Sequence, residues 1–189
     1  MLRLKRLNEN EICFLYEKSL SRDFPASELK SLSSILELYH RGEYHVLGAY
    51  RNEQFVSYAL LYCPKNRRLI LLDYLAVEPD YRNCGIGTAM LKQLRQHYLA
   101  TTDALLIECE RPKSAPDESE ARRRIRFYTN AEAFLTNVRI WLFDVEYSIL
   151  VLACSDSIPK YEWAEEMIEL YRQMLPEKLF EDNVRLIRG

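Results

Sequence analysis

Leu69-Ile70-Leu71-Leu72-Asp73-Tyr74-Leu75-Ala76-Val77-Glu78-Pro79-Asp80-Tyr81-Arg82-Asn83-Cys84-Gly85-Ile86-Gly87-Thr88 reads as a strand, a turn and the opening of a helix. The apolar run Leu69–Val77 suits a mostly buried strand, and Pro79 ends it because proline cannot donate a ladder hydrogen bond. From Ile86 onward, Met90, Leu91, Leu94 and Tyr98 recur on one side, with Lys92, Gln93, Arg95 and Gln96 on the other, which is helical spacing. The first turn of such a helix has backbone N–H groups with no partner in the helix. Together with the helix dipole they favour an anion, typically a phosphate or pyrophosphate. Gly85 and Gly87 let the backbone approach a bulky ligand.

Outward from this stretch, the N-terminal Met1–Leu7 alternates apolar and basic residues as a strand does, and Glu9–Leu20 has helical spacing. Phe24-Pro25 breaks that pattern, and Pro25 suits the first turn of a second helix carrying Leu29, Leu32, Ile35, Leu36 and Tyr39, stopped by Gly42. Tyr44–Tyr50 and Phe55–Cys63 predict a hairpin about Arg51-Asn52-Glu53-Gln54. Past the central helix, Ala104–Glu110 is another buried strand and Glu118–Ala131 a helix with Ala121, Ile125 and Tyr128 on one face. Val138–Phe143 and Tyr147–Cys154 pair about Asp144-Val145-Glu146. Pro159 opens a last helix to Leu175, with Trp163, Met167, Leu170, Tyr171 and Met174 as its apolar side, and Pro176 ends it before a partly helical tail.

The chain of 189 residues is long enough for one domain with a real core. A net charge of -2 argues against general nucleic-acid binding. No stretch is long and apolar enough for a membrane span and no signal peptide is evident, so the expected compartment is the cytoplasm. Five widely spaced cysteines without a CxxC or Cys/His cluster predict neither a metal site nor a disulfide framework. Cys84 sits beside a helix N-terminus, where a thiol pKa can fall; the simpler reading is a small loop residue.

The glycine loop lacks the third glycine of a dinucleotide fingerprint and the Gly-Lys-Ser/Thr of a P-loop. Val-x-Pro-x-x-Arg-x-x-Gly-x-Gly, here Val77, Pro79, Arg82, Gly85 and Gly87, resembles motif A of the GNAT superfamily of N-acetyltransferases, which bind acetyl-CoA. Arg123-Arg124-Ile125-Arg126-Phe127-Tyr128 resembles the helix after that family's fifth strand, and the order of elements agrees. The resemblance is to small bacterial members of unassigned substrate. It implies an α/β GNAT acyltransferase fold over residues 1–154, a mixed, mainly antiparallel central sheet flanked by helices, with residues 155–189 a helical extension packed on the same domain.

The resemblance further implies a transferase: acetyl passes from acetyl-CoA, a co-substrate, to a primary amine by direct attack in a ternary complex. The fourth and fifth strands splay, and Leu75, Ala76 and Val77 form the strand end along which the pantetheine arm runs, bound by backbone groups of Leu75 and Val77. The N–H groups of Arg82, Asn83, Cys84, Gly85, Ile86, Gly87 and Thr88 hold the pyrophosphate, and a strand-end N–H polarises the thioester carbonyl. The amine must be neutral to attack, and a free alkylamine has a pKa of about 10. Tyr128, at the family's tyrosine position, is the candidate acid for the departing thiolate; otherwise it is a core tyrosine. Asp73 and Glu108 are candidate substrate-side acids, as base or by charge; otherwise they are solvated strand-end acids. The basic run Arg122, Arg123, Arg124, Arg126 reads as a solvated helix face, with one of them available for the 3′-phosphate of CoA.

Three positions depart from the family pattern. Asn83 stands where many members have Gly, though Asn tolerates unusual dihedrals. Ala121 stands where many have an Asn that contacts CoA. Glu132 stands where a Gly ends the helix, so the Tyr128 helix is expected to leave by a different turn or to run longer, because a left-handed non-Gly cap costs about 1 kcal/mol. The acceptor is a small-molecule or peptide amine of no legible identity, and a homodimer through the last helix stands open beside packing on the sheet. The competing reading is an acyl-CoA-binding regulatory or interaction protein with a degenerate acceptor site.

Overall fold

The computed structural model describes residues 2–187; the expectations for Met1 and for the chain's last two residues lie outside them. The elements run β1 (Arg3–Arg6), α1 (Glu9–Leu15), a π-helical turn Tyr16–Leu20, α2 (Ser21–Asp23), α3 (Leu32–His40), β2 (Tyr44–Arg51), β3 (Gln54–Tyr62) and β4 (Leu69–Val77). A 3-10 turn at Pro79–Tyr81 leads to α4 (Ile86–Tyr98), β5 (Ala104–Glu110), α5 (Glu118–Asn130), β6 (Phe134–Leu142), β7 (Val145–Ala153), α6 (Trp163–Met174), α7 (Glu177–Asn183) and β8 (Val184–Leu186). The strands form one mixed, mostly antiparallel sheet in the order β1-β2-β3-β4-β5-β7-β6-β8. The α/β architecture and the mainly antiparallel sheet are those the sequence implied.

Contacts divide the chain into two compact units. One holds the chain up to Lys65 together with Asp73–Gln93; the other holds Asn66–Leu72 and the chain from Leu94 onward. In the first unit β1 pairs antiparallel with β2, Arg3 opposite Tyr50, and β2 with β3, Tyr44 opposite Tyr62. The hairpin turn is shorter than expected: Asn52 (φ 50°) and Glu53 (φ 62°) alone make it, because two left-handed residues match the twist of the strands. At Gly48 a Cβ would come within 2.9 Å of the Phe55 ring, so only glycine fits there. Ile12, Ile35, Tyr44, Tyr58 and Leu60 are buried in this unit.

α3 corrects the sequence reading. It starts at Leu32, not near Pro25, because the Ser31 hydroxyl caps it by accepting from the Ser34 N–H. Pro25 instead begins a turn whose carbonyl accepts from Glu28 and Leu29. Gly42 ends the helix as expected: at φ +73° its N–H donates to the Tyr39 carbonyl while the Glu43 N–H reaches back to Leu38, a Schellman motif.

In the second unit β4 pairs parallel with β5 from Leu69 opposite Ala104 to Leu72 opposite Ile107, where the register ends. β5 pairs antiparallel with β7, and β7 with β6, through a turn at Phe143 (φ 45°) and Asp144 (φ 64°) rather than Asp144–Glu146. Leu105, Leu106 and Ile149–Leu152 are buried, as sheet residues covered on both faces are. The helix expected from Pro159 is α6, which begins four residues later at Trp163. It buries Met167, Leu170, Tyr171 and Met174, the face the spacing gave. Arg67 pairs with Glu166, and Asp103 accepts from both Arg68 and Tyr161, so the extension is tied into this unit. β8, a three-residue strand antiparallel to β6, had no signal in the sequence.

Candidate active site

The end of β4 and the loop behind it belong to the first unit. Asn83 has φ 59° and Gly85 φ 76°, the left-handed backbone that asparagine and glycine tolerate best. The first helical bond of α4 runs from the Ala89 N–H to the Gly85 carbonyl, 3.0 Å. The N–H groups of Ile86, Gly87 and Thr88 therefore lie ahead of the helical ladder. A Cβ at Gly85 would meet nothing within 4 Å, so its outer face is bare. Arg82, Asn83 and Cys84 are exposed around it.

Arg82 is not a loose cation. Its Nε donates to the Val77 carbonyl at 3.0 Å, and its guanidinium pairs with Asp23 at 2.8 Å. Asp23, whose side chain is only 4% exposed, also accepts from Arg22 and from the Tyr58 hydroxyl. Burial alone would raise this carboxyl, but hydrogen bonds from Arg22 and Tyr58 and the charges of Arg22 and Arg82 outweigh it and hold the pKa below the usual range. The Asp23–Arg82 clamp fixes the strand end against α2. Sequence reasoning missed Asp23, which lies 59 positions from Arg82; no local signal marks it.

Asp73 is engaged on both oxygens. Lys30 Nζ lies 2.8 Å from Oδ1, and the buried Tyr44 hydroxyl donates to Oδ2. Burial first, then the charge of Asp73, pushes the Tyr44 phenol well above its ordinary value, so it stays a donor. The next residue pins the same segment: Tyr74 Oη accepts from the Lys30 N–H at 2.9 Å and donates to the Glu28 carbonyl at 2.8 Å. Phe24 meets the Tyr74 ring edge-on, 4.9 Å between centroids. Beside Asp73, Ser57 Oγ donates to the Ala76 carbonyl at 2.7 Å, within the same unit.

The second unit carries Tyr128 and Glu108. α5 starts on Asp117, whose side chain accepts from the Glu120 N–H at 3.0 Å. Arg122 and Arg124 pair with Glu118 and Glu120 one turn back, as a solvated face does. Tyr128 is 8% exposed, and its hydroxyl has no hydrogen-bond partner among the described residues. Burial raises its phenol pKa, and neighbouring Cys109 adds to this while Arg124 opposes it. The Cys109 thiol is itself pushed up to about 12, mainly by burial.

Glu108 precedes Cys109 on β5, so its side chain leaves the opposite face. There the Tyr171 hydroxyl of α6 donates to it at 2.5 Å. Tyr128 and Glu108 share a unit but not a face of the strand. Tyr171, 63 positions away, is a partner the sequence gave no means of finding.

The exit of α5 overturns one expectation. Glu132 does sit in an ordinary left-handed cap, φ 72°. Its N–H donates to the Thr129 carbonyl and the Ala133 N–H to that of Tyr128, the same Schellman pattern as at Gly42. The two satisfied carbonyls and an ion pair from Arg95 to the Glu132 carboxylate offset the backbone cost. Among the described residues no cluster of His, Cys, Asp or Glu could hold a metal, and no helix is long and apolar enough to cross a membrane.

Residues 42–131 match the family model for the acetyltransferase (GNAT) domain. No curated protein matches the chain by sequence. Among solved structures, one described as a GNAT-family acetyltransferase from Bacteroides thetaiotaomicron is similar at TM-score 0.74 and 19% identity, covering 90% of this chain and 96% of that one. The ribosomal-protein-S18-alanine N-acetyltransferase of Escherichia coli is similar at TM-score 0.61 and 18% identity, covering 85% and 99%. A point variant of the Vibrio cholerae spermidine N-acetyltransferase is similar at TM-score 0.61 and 10% identity, covering 82% and 94%. At these identities the neighbours speak for the fold, and the matched motif, loop geometry and element order agree with the domain match. Residues 42–131 are thus similar to a GNAT acetyltransferase domain, on a fold shared with GNAT structures.

Proposed function

We propose that this protein is an acetyl-CoA-dependent N-acetyltransferase that acylates a primary amine by direct attack. The observation that carries the reading is Tyr128: a buried phenol, on the helix the family match covers, whose hydroxyl has no protein partner among the described residues. That hydroxyl is therefore available to a reacting group arriving beside it.

The donor fits the residues present. The N–H groups of Ile86, Gly87 and Thr88, with Arg82–Gly85 exposed before them, suit a pyrophosphate. The pairing of β4 with β5 ends at Leu72, which leaves Leu75, Ala76 and Val77 as strand backbone for an extended arm. Arg82 acts chiefly by holding the Val77 carbonyl and Asp23. Acetyl-CoA supplies an activated acyl group; the chain places and protonates. The neutral amine nitrogen bonds to the thioester carbon, the carbon–sulfur bond breaks, and Tyr128 gives its proton to the departing sulfur. The proton lost by the nitrogen balances the one Tyr128 gave. Burial holds the Tyr128 phenol above its ordinary value of about 10, so it stays protonated and has a proton to give to a departing thiolate.

Asp73 and Glu108 remain substrate-side acids in this proposal. With Asp73 held by Lys30 and Tyr44 and Glu108 by Tyr171, they act through charge and position. The test is a panel of amines (amino acids, peptide N-termini, polyamines, aminoglycosides) read by free CoA release. Amine-dependent release supports the reading. Saturable acetyl-CoA binding with no release from any amine replaces it with an acyl-CoA-binding protein.

A further inference from the structure

The second unit contains a cavity of about 460 Å³ lined by residues of α5, the loop before it, β6 and β7. That is within the range of small-ligand sites. Four cationic side chains border it, Arg111, Lys113, Arg122 and Arg126, and no carboxylate is among its lining residues. Its apolar part is Ile125 and Leu135, the latter half exposed.

Two of the cations are anchored. Arg111 pairs at 2.9 Å with Glu146, a buried carboxylate that also accepts from Ser114, and Arg122 pairs with Glu118. The side chains of Lys113 and Arg126 have no hydrogen bond or ion pair among the described residues. So the anchored pair shapes the wall while two positive charges stay uncompensated. The wall opens where the β6–β7 register breaks: Leu135 faces Leu150 and Arg139 faces Ser148, with three β6 residues against Ile149 alone. Thr136 holds that bulge by donating to the Ile149 carbonyl and accepting from the Val138 N–H. Bulges of this kind commonly re-aim side chains beside sites.

Tyr128 does not line the cavity, although Ile125 of the same helix face does. Helical positions advance by about 100° per residue, so Arg122, Ile125 and Arg126 centre roughly 100° around α5 from Ala121 and Tyr128. We propose that this cavity is a second ligand site, for an organic anion that carries a phosphate or carboxylate on an apolar body about the size of a naphthalene. Lys113 and Arg126 take the anionic group by charge-assisted hydrogen bonds, and Ile125 and Leu135 take the body. The proposal does not depend on acetyl transfer.

The test is calorimetry on the full chain with CoA at saturation, using 1-naphthyl phosphate, 1-naphthoate, neutral 1-naphthalenemethanol and inorganic phosphate as probes. At least one naphthyl anion is expected to bind saturably, at least about tenfold tighter than the neutral alcohol and than inorganic phosphate, and more weakly as salt rises. The double variant Lys113→Ala/Arg126→Ala should weaken that anion by at least about tenfold. Both side chains are exposed and unpaired, so it should keep the wild-type circular dichroism spectrum. Leu135→Asn should weaken the naphthyl anion and leave inorganic phosphate unchanged, and Tyr128→Phe should alter neither. The proposal is overturned if neither naphthyl anion saturates the protein, if the neutral alcohol or inorganic phosphate binds as well, or if the double variant binds as wild type does. Displacement of the probe by CoA would also overturn it, by making the cavity part of the donor site.

Discussion

Two helices of this protein end in the same Schellman motif, one on Gly42 and one on Glu132, and the pair permits a quantitative test of what holds the second. A left-handed residue with a side chain costs about 1–2 kcal/mol. Glycine gives back about 0.4–1 kcal/mol of that through the greater freedom of its unfolded chain. Gly42→Ala should therefore destabilise by about 0.8 kcal/mol; a Cβ there meets only Lys65 Cε at 3.8 Å, so no clash adds to the cost. Glu132→Gly should gain the same amount but lose the Arg95 ion pair. Glu132 is 74% exposed in that pair and Arg95 25%, so the pair is worth roughly 0.2–1 kcal/mol. The two effects nearly cancel, and Glu132→Gly alone should stay within about 0.5 kcal/mol of wild type. In an Arg95→Ala background the same change should stabilise by about 0.8 kcal/mol. Urea unfolding of the four members of this cycle, together with Gly42→Ala, measures each term. The reasoning fails if Gly42→Ala is neutral, or if Glu132→Gly destabilises the Arg95→Ala protein.

Three further outcomes follow from the same contacts. Tyr44→Phe removes a buried donor from Asp73 and should cost about 1–3 kcal/mol; a change under about 0.3 kcal/mol in urea unfolding would mean that Asp73 is satisfied without it. Asp23 has its folded pKa held below the unfolded value, so the stability it contributes is complete above that unfolded pKa and is lost as pH falls below about 4. Thermal unfolding between about pH 3 and 7 should therefore show a shallower acid loss in Asp23→Asn than in wild type, and an equal slope in both would count against the clamp. Gly85→Ala should strain the φ 76° backbone by about 1 kcal/mol and weaken acetyl-CoA binding in calorimetry; unchanged affinity would remove that loop from the donor site.

What was legible in the sequence was local. The β4 run, its Pro79 stop and the α4 stripe from Ile86 to Tyr98 are periodic over many residues, and the structure buries Ile86, Met90, Leu91, Leu94 and Tyr98 as that period requires. Asn83 at φ 59° answers the departure from glycine there. The starts of α3 and α6 were misplaced because a proline marks where a helix can begin, whereas Ser31 marks where one does. Glu132 was misread because a backbone penalty near 1 kcal/mol is small enough for two carbonyls and one arginine to offset. The partners of the candidate acids were out of reach for another reason. Lys30 lies 43 positions from Asp73 and Tyr171 lies 63 from Glu108, so tertiary packing alone brings them together. Without them, both carboxylates read as bases, as substrate-side charges or as solvated strand-end acids; with them, both are held.

The most direct test of the catalytic account compares wild type with Tyr128→Phe. Acetyl-CoA affinity is measured by calorimetry and turnover by amine-dependent CoA release with whichever acceptor the panel yields. The phenyl ring keeps the packing of a residue that is 8% exposed, so affinity should change by less than about twofold. Loss of a positioned acid should lower turnover by roughly 10²-fold or more. Turnover equal to wild type at unchanged affinity would contradict the assignment and return Tyr128 to the core.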